Sequence, residues 1–454
     1  MPAGPIVVVD NGGFTMKAGV VGVHDRLPRV ITNAIIQSKG DKTTYIGHEI
    51  QNCRDYSSLH YRLPFERGYI VDWDAQKAIW DGLFSNEVLG SNTADSSLLI
   101  TEPYFDLPNI QDVYDQFVFE EYEFRSYHRC TPGSLIPHGE LYTKPGLPPP
   151  ECMVVVDSGF SFTHVIPIMN GSIMWSAVRR IDVGGKLLTN QLKELASFRQ
   201  WNMMDETYII NNIKESCCYV SSSFKKDLEI CRVDQKHNAI VQEYILPDFS
   251  INRVGRIRQA NEALDDTFQV LYMNNERFTI PEIIFRPGDI GLEQSGIAST
   301  IANSISHLPE DLQGMFWANI GLVGGNTCFP GFYERLSAEL RSLAPADCEV
   351  TIYTSDDPVL EAYRSGVAFA KMPDFAQATV TREEYLEMGS NACRRKFRDW
   401  KATDRDVSKG KEPARGKGES RTREDGQDAD HATPAKRGGR GRGRGRGSIS
   451  RRQG

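Results

Sequence analysis

One pattern is written twice in this chain. Val7–Val20 reads VVVDNGGFTMKAGV, and Val154–Pro167, about 150 residues later, reads VVVDSGFSFTHVIP. Each copy is a β-branched run ending in Asp, a small polar residue and Gly, followed by a second run, which predicts strand, tight turn and returning strand. Glycine in such a turn leaves backbone N–H groups open to an anion. Two such hairpins would clamp a polyphosphate from both sides. The carboxylates of Asp10 and Asp157 would not touch the phosphates, which repel them, but would hold a hydrated Mg²⁺ or Ca²⁺ between them. Lys17, a few residues past the first turn, would supply a positive charge to the phosphates. One Asp-Asn-Gly turn is ordinarily just a hairpin, and it is the matched second copy at domain spacing that favours a shared anion site.

A chain of 454 residues can bury more than one core, so two or more domains are expected. No uninterrupted apolar run approaches the ~18 residues of a membrane helix, and Met-Pro-Ala-Gly leads into a strand-like run without a basic leader, which predicts a soluble protein that is not secreted. The nine cysteines are scattered without CxxC spacing and predict reduced thiols in cytosol or nucleus. Charge is unevenly placed. From Lys401 onward there are 16 Lys/Arg against 8 Asp/Glu, so a basic tail follows an acidic body. With almost no large apolar residues, the segment 401–454 is expected to be disordered, and its KRGGRGRGRGRG stretch suits loose contact with DNA or RNA phosphates or simple solubilisation.

Further pieces lie in the second half. Ile320–Phe332, IGLVGGNTCFPGF, predicts a strand, a Gly324–Gly325 break that lets a flat ring approach the backbone, and a helix from Tyr333 to Leu340. Ile213–Leu228, IKESCCYVSSSFKKDL, has the apolar spacing of an amphipathic helix. Lys214 and Glu215 at its start would meet a ribose or base, or else form part of a solvated face.

The order of these pieces resembles the actin family. The two hairpins are followed by DVGGKLLTNQL (Asp182–Leu192), IKESCCYV and GGNTCFPGF, and LPFERGYIVDWDAQKAIW (Leu63–Trp80), LLITEPYFD (Leu98–Asp106), RFTIPEIIFRPGDIG (Arg277–Gly291) and VTREEYLEMG (Val380–Gly389) also match, over about residues 5 to 397. The resemblance implies the α/β fold shared by actin, sugar kinases and chaperone ATPases: two lobes, each with a mixed central sheet, and a nucleotide cleft between them. The first lobe would take 1–150 with a return at about 365–400, and the second 151–364 with an inserted segment near 246–274. ATP or ADP with Mg²⁺ would then lie against Asp10, Gly12, Gly13 and Lys17 of the first hairpin and Asp157 and Gly159 of the second. Lys214, Glu215, Gly324, Gly325 and Asn326 would hold the adenosine side, and Asp10 and Asp157 the metal through water.

Departures from actin bear on activity. Gly13 stands where actin has a serine, and Phe160–Ser161 where it has Asp-Gly. Arg125 is aligned with the glutamine that positions actin's attacking water, and an arginine is no base at neutral pH. His164 matches the histidine behind that water and is read as structural. No catalytic residue is therefore expected, and ATP would be held without being cleaved. Asn33–Gly47 is too short for actin's intersubunit loop, which argues against a homopolymer, and Leu246–Asn274, with Phe249, Ile251 and several arginines, suits a different partner.

Segments such as FEEYEF (Phe119–Phe124), MDETYIINNIKE (Met204–Glu215) and EYILPDFS (Glu243–Ser250) resemble the branch of the family found in nuclear SWR-type chromatin-remodelling complexes, which exchange a variant histone into nucleosomes. That implies a non-catalytic scaffold in the nucleus, also present in cytoplasm, whose partners are other subunits and the nucleosome, with no membrane contact. An ATPase of the same fold would need an intact water- or hydroxyl-activating residue. An RNA-binding protein acting through its Gly-Arg tail would lose its principal activity on truncation near Asp399.

Overall fold

The computed structural model of the chain describes residues 4–397 except 26, 236, 249–251, 260–261 and 264–266. Both repeats form the hairpins their patterns predict. In the first, Ile6–Asn11 pairs antiparallel with Thr15–Val20, placing Asp10 opposite Lys17. In the second, Cys152–Ser158 pairs with Thr163–Met169, placing Asp157 opposite His164.

Each hairpin is the centre of its own six-stranded sheet. The first runs Val380–Thr381, Ser126–Cys130, Ser97–Thr101, Ile6–Asn11, Thr15–Val20 and Arg29–Thr32. The second runs Ser172–Ile173, Thr163–Met169, Cys152–Ser158, Ile320–Val323 and Ile352–Tyr353, with Arg179–Ile181 also paired to Thr163–Met169. In both, the Asp-bearing strand has a parallel neighbour on its other side, Ser97–Thr101 in one and Ile320–Val323 in the other. Parallel strands that end together leave a crevice at their carboxyl ends, where ligands of open α/β sheets bind.

The valine triplets follow from burial on both faces of each sheet, which removes the usual polar alternation. Val7 and Val9 pack with Leu98, Ile100 and Trp80 on one face of the first sheet, while Val8 and Leu99 meet Tyr363 and Val367 on the other. In the second sheet Val154 and Val156 join Leu188, Ile210 and Ile213, while Val155 faces Tyr142 and Ile168. Two consecutive residues bind the lobes together: Leu135 belongs to the cluster around Val8, and Ile136 to the cluster around Val155. The Tyr142 hydroxyl adds a hydrogen bond to the Val154 carbonyl at 2.8 Å.

The expected helix over 213–228 is two helices, Thr207–Cys217 and Phe224–Val233. The first ends at an extended Cys218, after which the Tyr219 and Val220 N–H groups donate to the remote carbonyls of Arg277 and Pro330, both at 2.8 Å, and a serine turn then opens the second. The Ser223 N–H donates to Ser221 Oγ at 3.0 Å, whose hydroxyl donates to Asp227 at 2.7 Å. Lys214 and Glu215 therefore sit in the last turn of a helix rather than the first. The strand, turn and helix expected at 320–340 are present as Ile320–Val323, Gly325–Cys328 and Phe332–Leu343. Asn33–Gly47 folds as a compact hairpin of Ile35–Ser38 and Thr43–Ile46. In the segment 246–274, Arg256–Ile257 and Val270–Met273 flank Gln242–Ile245 as a small sheet, while Phe249 and Ile251 lie outside the described residues. The basic tail 401–454 also lies outside them. All nine cysteines are free thiols, and among the described residues no helix is long and apolar enough to cross a membrane.

Leu99 is 0 % exposed, whereas Phe198 is 91 % exposed. Leu99→Ala should lower stability by about 2–5 kcal/mol, seen as an earlier urea midpoint at unchanged slope, and Phe198→Ser should change it by less than about 0.5 kcal/mol.

Candidate functional site: a cleft between two hairpins

The two Asp-Gly turns open onto a single cavity of about 590 Å³, lined by Asp10, Gly12, Gly13 and Lys17 from the first lobe and by Asp157, Gly159, Lys214 and Glu215 from the second. Gly324, Gly325 and Asn326 line it as well, so every residue expected to face a nucleotide does face this space.

Asp10 is fixed on two sides. Thr101 at the end of the neighbouring strand donates its hydroxyl to Asp10 at 3.0 Å, and Lys17 across the hairpin lies 3.3 Å from the other oxygen. Asn33 braces the turn by donating to the Gly12 carbonyl at 2.9 Å. Asp157 accepts a hydrogen bond from the Tyr104 hydroxyl at 3.2 Å, and that hydroxyl accepts in turn from the Gly133 N–H at 2.9 Å. Burial, with the Asp10 charge adding to it, raises the Asp157 carboxyl to about 6. Facing carboxylates held this way suit a hard cation between them. Among the described residues no group of three or more His, Cys, Asp or Glu could enclose a metal by itself, so water or phosphate oxygens would complete the shell.

The side of the cavity lined by the helix Thr207–Cys217 carries a buried cation. Lys214 is buried, and its ammonium donates only to neutral oxygens, Thr189 Oγ1 and Asn211 Oδ1 at 2.9 Å and the Gly185 carbonyl at 3.4 Å. It forms no ion pair among the described residues, and burial lowers its pKa. Glu215 accepts from Asn211 at 2.8 Å. Gly324, with φ +91°, approaches the second hairpin so closely that a Cβ would lie 2.4 Å from the Ser158 carbonyl oxygen. Asn326 ties this turn to the hairpin by donating to the Gly159 carbonyl at 2.8 Å and to Ser158 Oγ at 3.2 Å. The charge pattern and the glycine cradle thus fit a nucleotide bound with a divalent cation.

Arg125 is not in the cleft. It lies before the strand Ser126–Cys130 and lines a separate hollow with Glu123 and Arg382. The far end of that strand, about 16 Å away at the rise of an extended chain, delivers Pro132 and Gly133 to the cavity. Neither side chain can accept a proton. His164 does face the cavity, packed against Tyr104 with ring centroids 4.5 Å apart, and burial with help from Arg180 pushes its pKa down to about 3. Phe160 stacks on Phe14 of the opposite turn, with centroids 4.9 Å apart and planes at 22°. The sequence reading missed that pair, along with the bracing by Thr101, Tyr104 and Asn33. Only the Glu-Pro-Tyr run after Thr101 marked part of it.

A sequence-family model described as Actin matches residues 2–398. A protein named Actin-like protein ARP6 from Cryptococcus neoformans var. neoformans serotype D is 49% identical over 418 residues, covering 87% of this chain and 85% of its own length. Proteins named Actin-related protein 6 from Drosophila melanogaster and Oryza sativa subsp. japonica are 36% and 38% identical, covering 85% and 86% of this chain and 98% of their own lengths.

The raised Asp157 pKa has a definite sign. The folded form holds the proton more tightly than the unfolded chain, so stability is lost as pH rises from about 4 through about 6. Asp157→Asn should therefore stabilise the nucleotide-free protein by about 1–3 kcal/mol at pH 7.5 and not below pH ~4, measured by thermal melts across pH. Affinity for Mg²⁺–nucleotide should fall as pH drops below about 6. Gly324→Ala should cost about 2 kcal/mol or more in the same melts, because it adds a Cβ at a glycine-only conformation.

Proposed function

The chain belongs to the actin family, and from that footing we propose that it is a non-catalytic architectural subunit of a nuclear SWR-type chromatin-remodelling complex that exchanges a variant histone into nucleosomes, with a nucleotide as a structural ligand of its cleft. The observation that carries this reading is the split character of the cleft: the charges that would grip a nucleotide are present, while the wall at the end of Ser126–Cys130 presents Pro132 and Gly133. The segments that resemble the histone-exchange branch support the choice of complex, and the names of the relatives support an actin-related protein.

Within the cleft, Lys17 and the turns of Gly12–Gly13 and Gly159 would take the phosphates, Asp10 and Asp157 a hydrated Mg²⁺, and Lys214, Glu215 and Gly324–Asn326 the sugar and base. Bound Mg²⁺–ATP or Mg²⁺–ADP would supply charge that offsets the repulsion between the two aspartates, adding stability by mass action. His164, with its pKa pushed down to about 3, is a weak proton acceptor and serves as packing for Tyr104. The ATPase reading retains one point in its favour, the Asp157 carboxyl at about 6, and a hydrolysis assay separates the two.

Native protein purified from nuclear extract should run with a many-subunit assembly, whereas recovery as a lone monomer or a homopolymer would reject the scaffold reading. Truncation after Asp399 should leave that assembly intact and separates this reading from one in which the tail is the working part. The isolated protein should release phosphate from ATP no faster than its Asp10→Ala variant, and a clear difference would establish an active site.

A further inference from the structure

Besides the base of the cleft, where Tyr104 meets Asp157 and His164, side chains of the two lobes also touch at the hairpin turns and at the helix Thr207–Cys217. At the hairpin turns Phe14 lies on Phe160. A Cβ on Gly13 would come 3.1 Å from Ser161 Oγ, and one on Gly68 would come 2.7 Å from the Phe162 ring, so the turns are in close contact as well as stacked.

The second place is reached along the helix Thr207–Cys217. Its last turn brings Lys214 and Glu215 to the cavity. Tyr208, nearly two turns and about 9 Å earlier along the axis, stacks on Tyr56 of the first lobe with centroids 4.4 Å apart and planes at 12°. Glu206 accepts the Ser58 backbone N–H on one oxygen at 2.9 Å and the Ser58 hydroxyl on the other at 3.0 Å. Tyr208 is packed against the small apolar cluster of Ala34, Ile36, Cys53 and Leu59. Each of these contacts joins protein to protein, so it holds the lobes together whether or not a nucleotide bridges them.

We propose that the two contact sets are latches that keep the cleft shut on their own, so that closure does not depend on nucleotide and a bound nucleotide leaves only when both latches open. The first half of the proposal stands on the contacts, and the second rests on the reading of the cavity as a nucleotide site. The chemistry of the latches fits the role. Stacked rings and a carboxylate fully engaged by a backbone N–H and a hydroxyl carry no requirement for phosphate or metal. The consequence is a subunit of constant shape, presenting the same outer surface to its neighbours in every nucleotide state.

Small-angle scattering of the full chain with and without Mg²⁺–ATP tests closure, and stopped-flow release of mant-ADP tests gating. The wild type should show the same radius of gyration in both conditions. Phe14→Ala/Tyr56→Ala should be larger without nucleotide, contract when Mg²⁺–ATP is added, and release mant-ADP about tenfold faster, as expected for loss of two aromatic pairs. Contraction of the wild type on adding Mg²⁺–ATP would overturn the proposal, as would a double variant indistinguishable from wild type in both measurements. If mant-ADP binds neither protein, the scattering still decides the latches and only the nucleotide reading is lost. Should the double variant fail to fold by circular dichroism, Phe160→Leu/Glu206→Gln, which weakens both latches at residues outside the hydrophobic clusters, should widen the nucleotide-free protein, and an unchanged radius there would count against the latches.

Discussion

The structure is arranged around two like charges that would separate if left to themselves. Asp10 and Asp157 end central strands of different sheets, and the repulsion between them is part of what raises Asp157 to about 6. Neither can retreat. Asp10 is held by Thr101 and Lys17, Asp157 by Tyr104, and behind them the valine triplets are locked into sheets packed on both faces. Leu135 and Ile136 then join the two cores through adjacent residues, so the distance between the charges is set by packing that costs several kcal/mol to disturb.

A site built this way stores unfavourable electrostatics that a cation would relieve. The buried ammonium of Lys214, which makes no ion pair among the described residues, belongs to the same logic on the other side of the cavity. Relief of repulsion is binding, and it is distinct from catalysis, which also needs a group able to take a proton from water at the right place. The strand end nearest the cavity contributes proline and glycine, and the tip of the second hairpin contributes an aromatic ring that turns away from chemistry and toward Phe14.

Much of this was legible in the sequence because the informative features are local. A β-branched run, an Asp and a Gly-containing turn specify a hairpin within 14 residues, and repeating the phrase specifies two. The Gly324–Gly325 break and the helix after it were readable for the same reason. Errors arose where a boundary or an alignment had to be placed without neighbours. Tertiary hydrogen bonds from Tyr219 to Arg277 and from Val220 to Pro330 take over the backbone after Cys218, where apolar spacing alone would have carried the helix through to Leu228. Arg125 was aligned at the wrong end of a five-residue strand, an offset that in an extended chain moves a side chain out of the cleft altogether.

The sequence by itself determined two hairpins with acidic strand ends, the lobes that carry them, and the family to which they point, since each rests on residue preferences that act over a few neighbouring positions. Only the tertiary structure decided that Phe14 meets Phe160, that Tyr56 meets Tyr208, and that Lys214 is buried with no ion pair among the described residues. Those contacts join residues remote along the chain. Their partners are chosen by how two sheets and the helix 207–217 pack around a shared crevice, which no short-range pattern encodes.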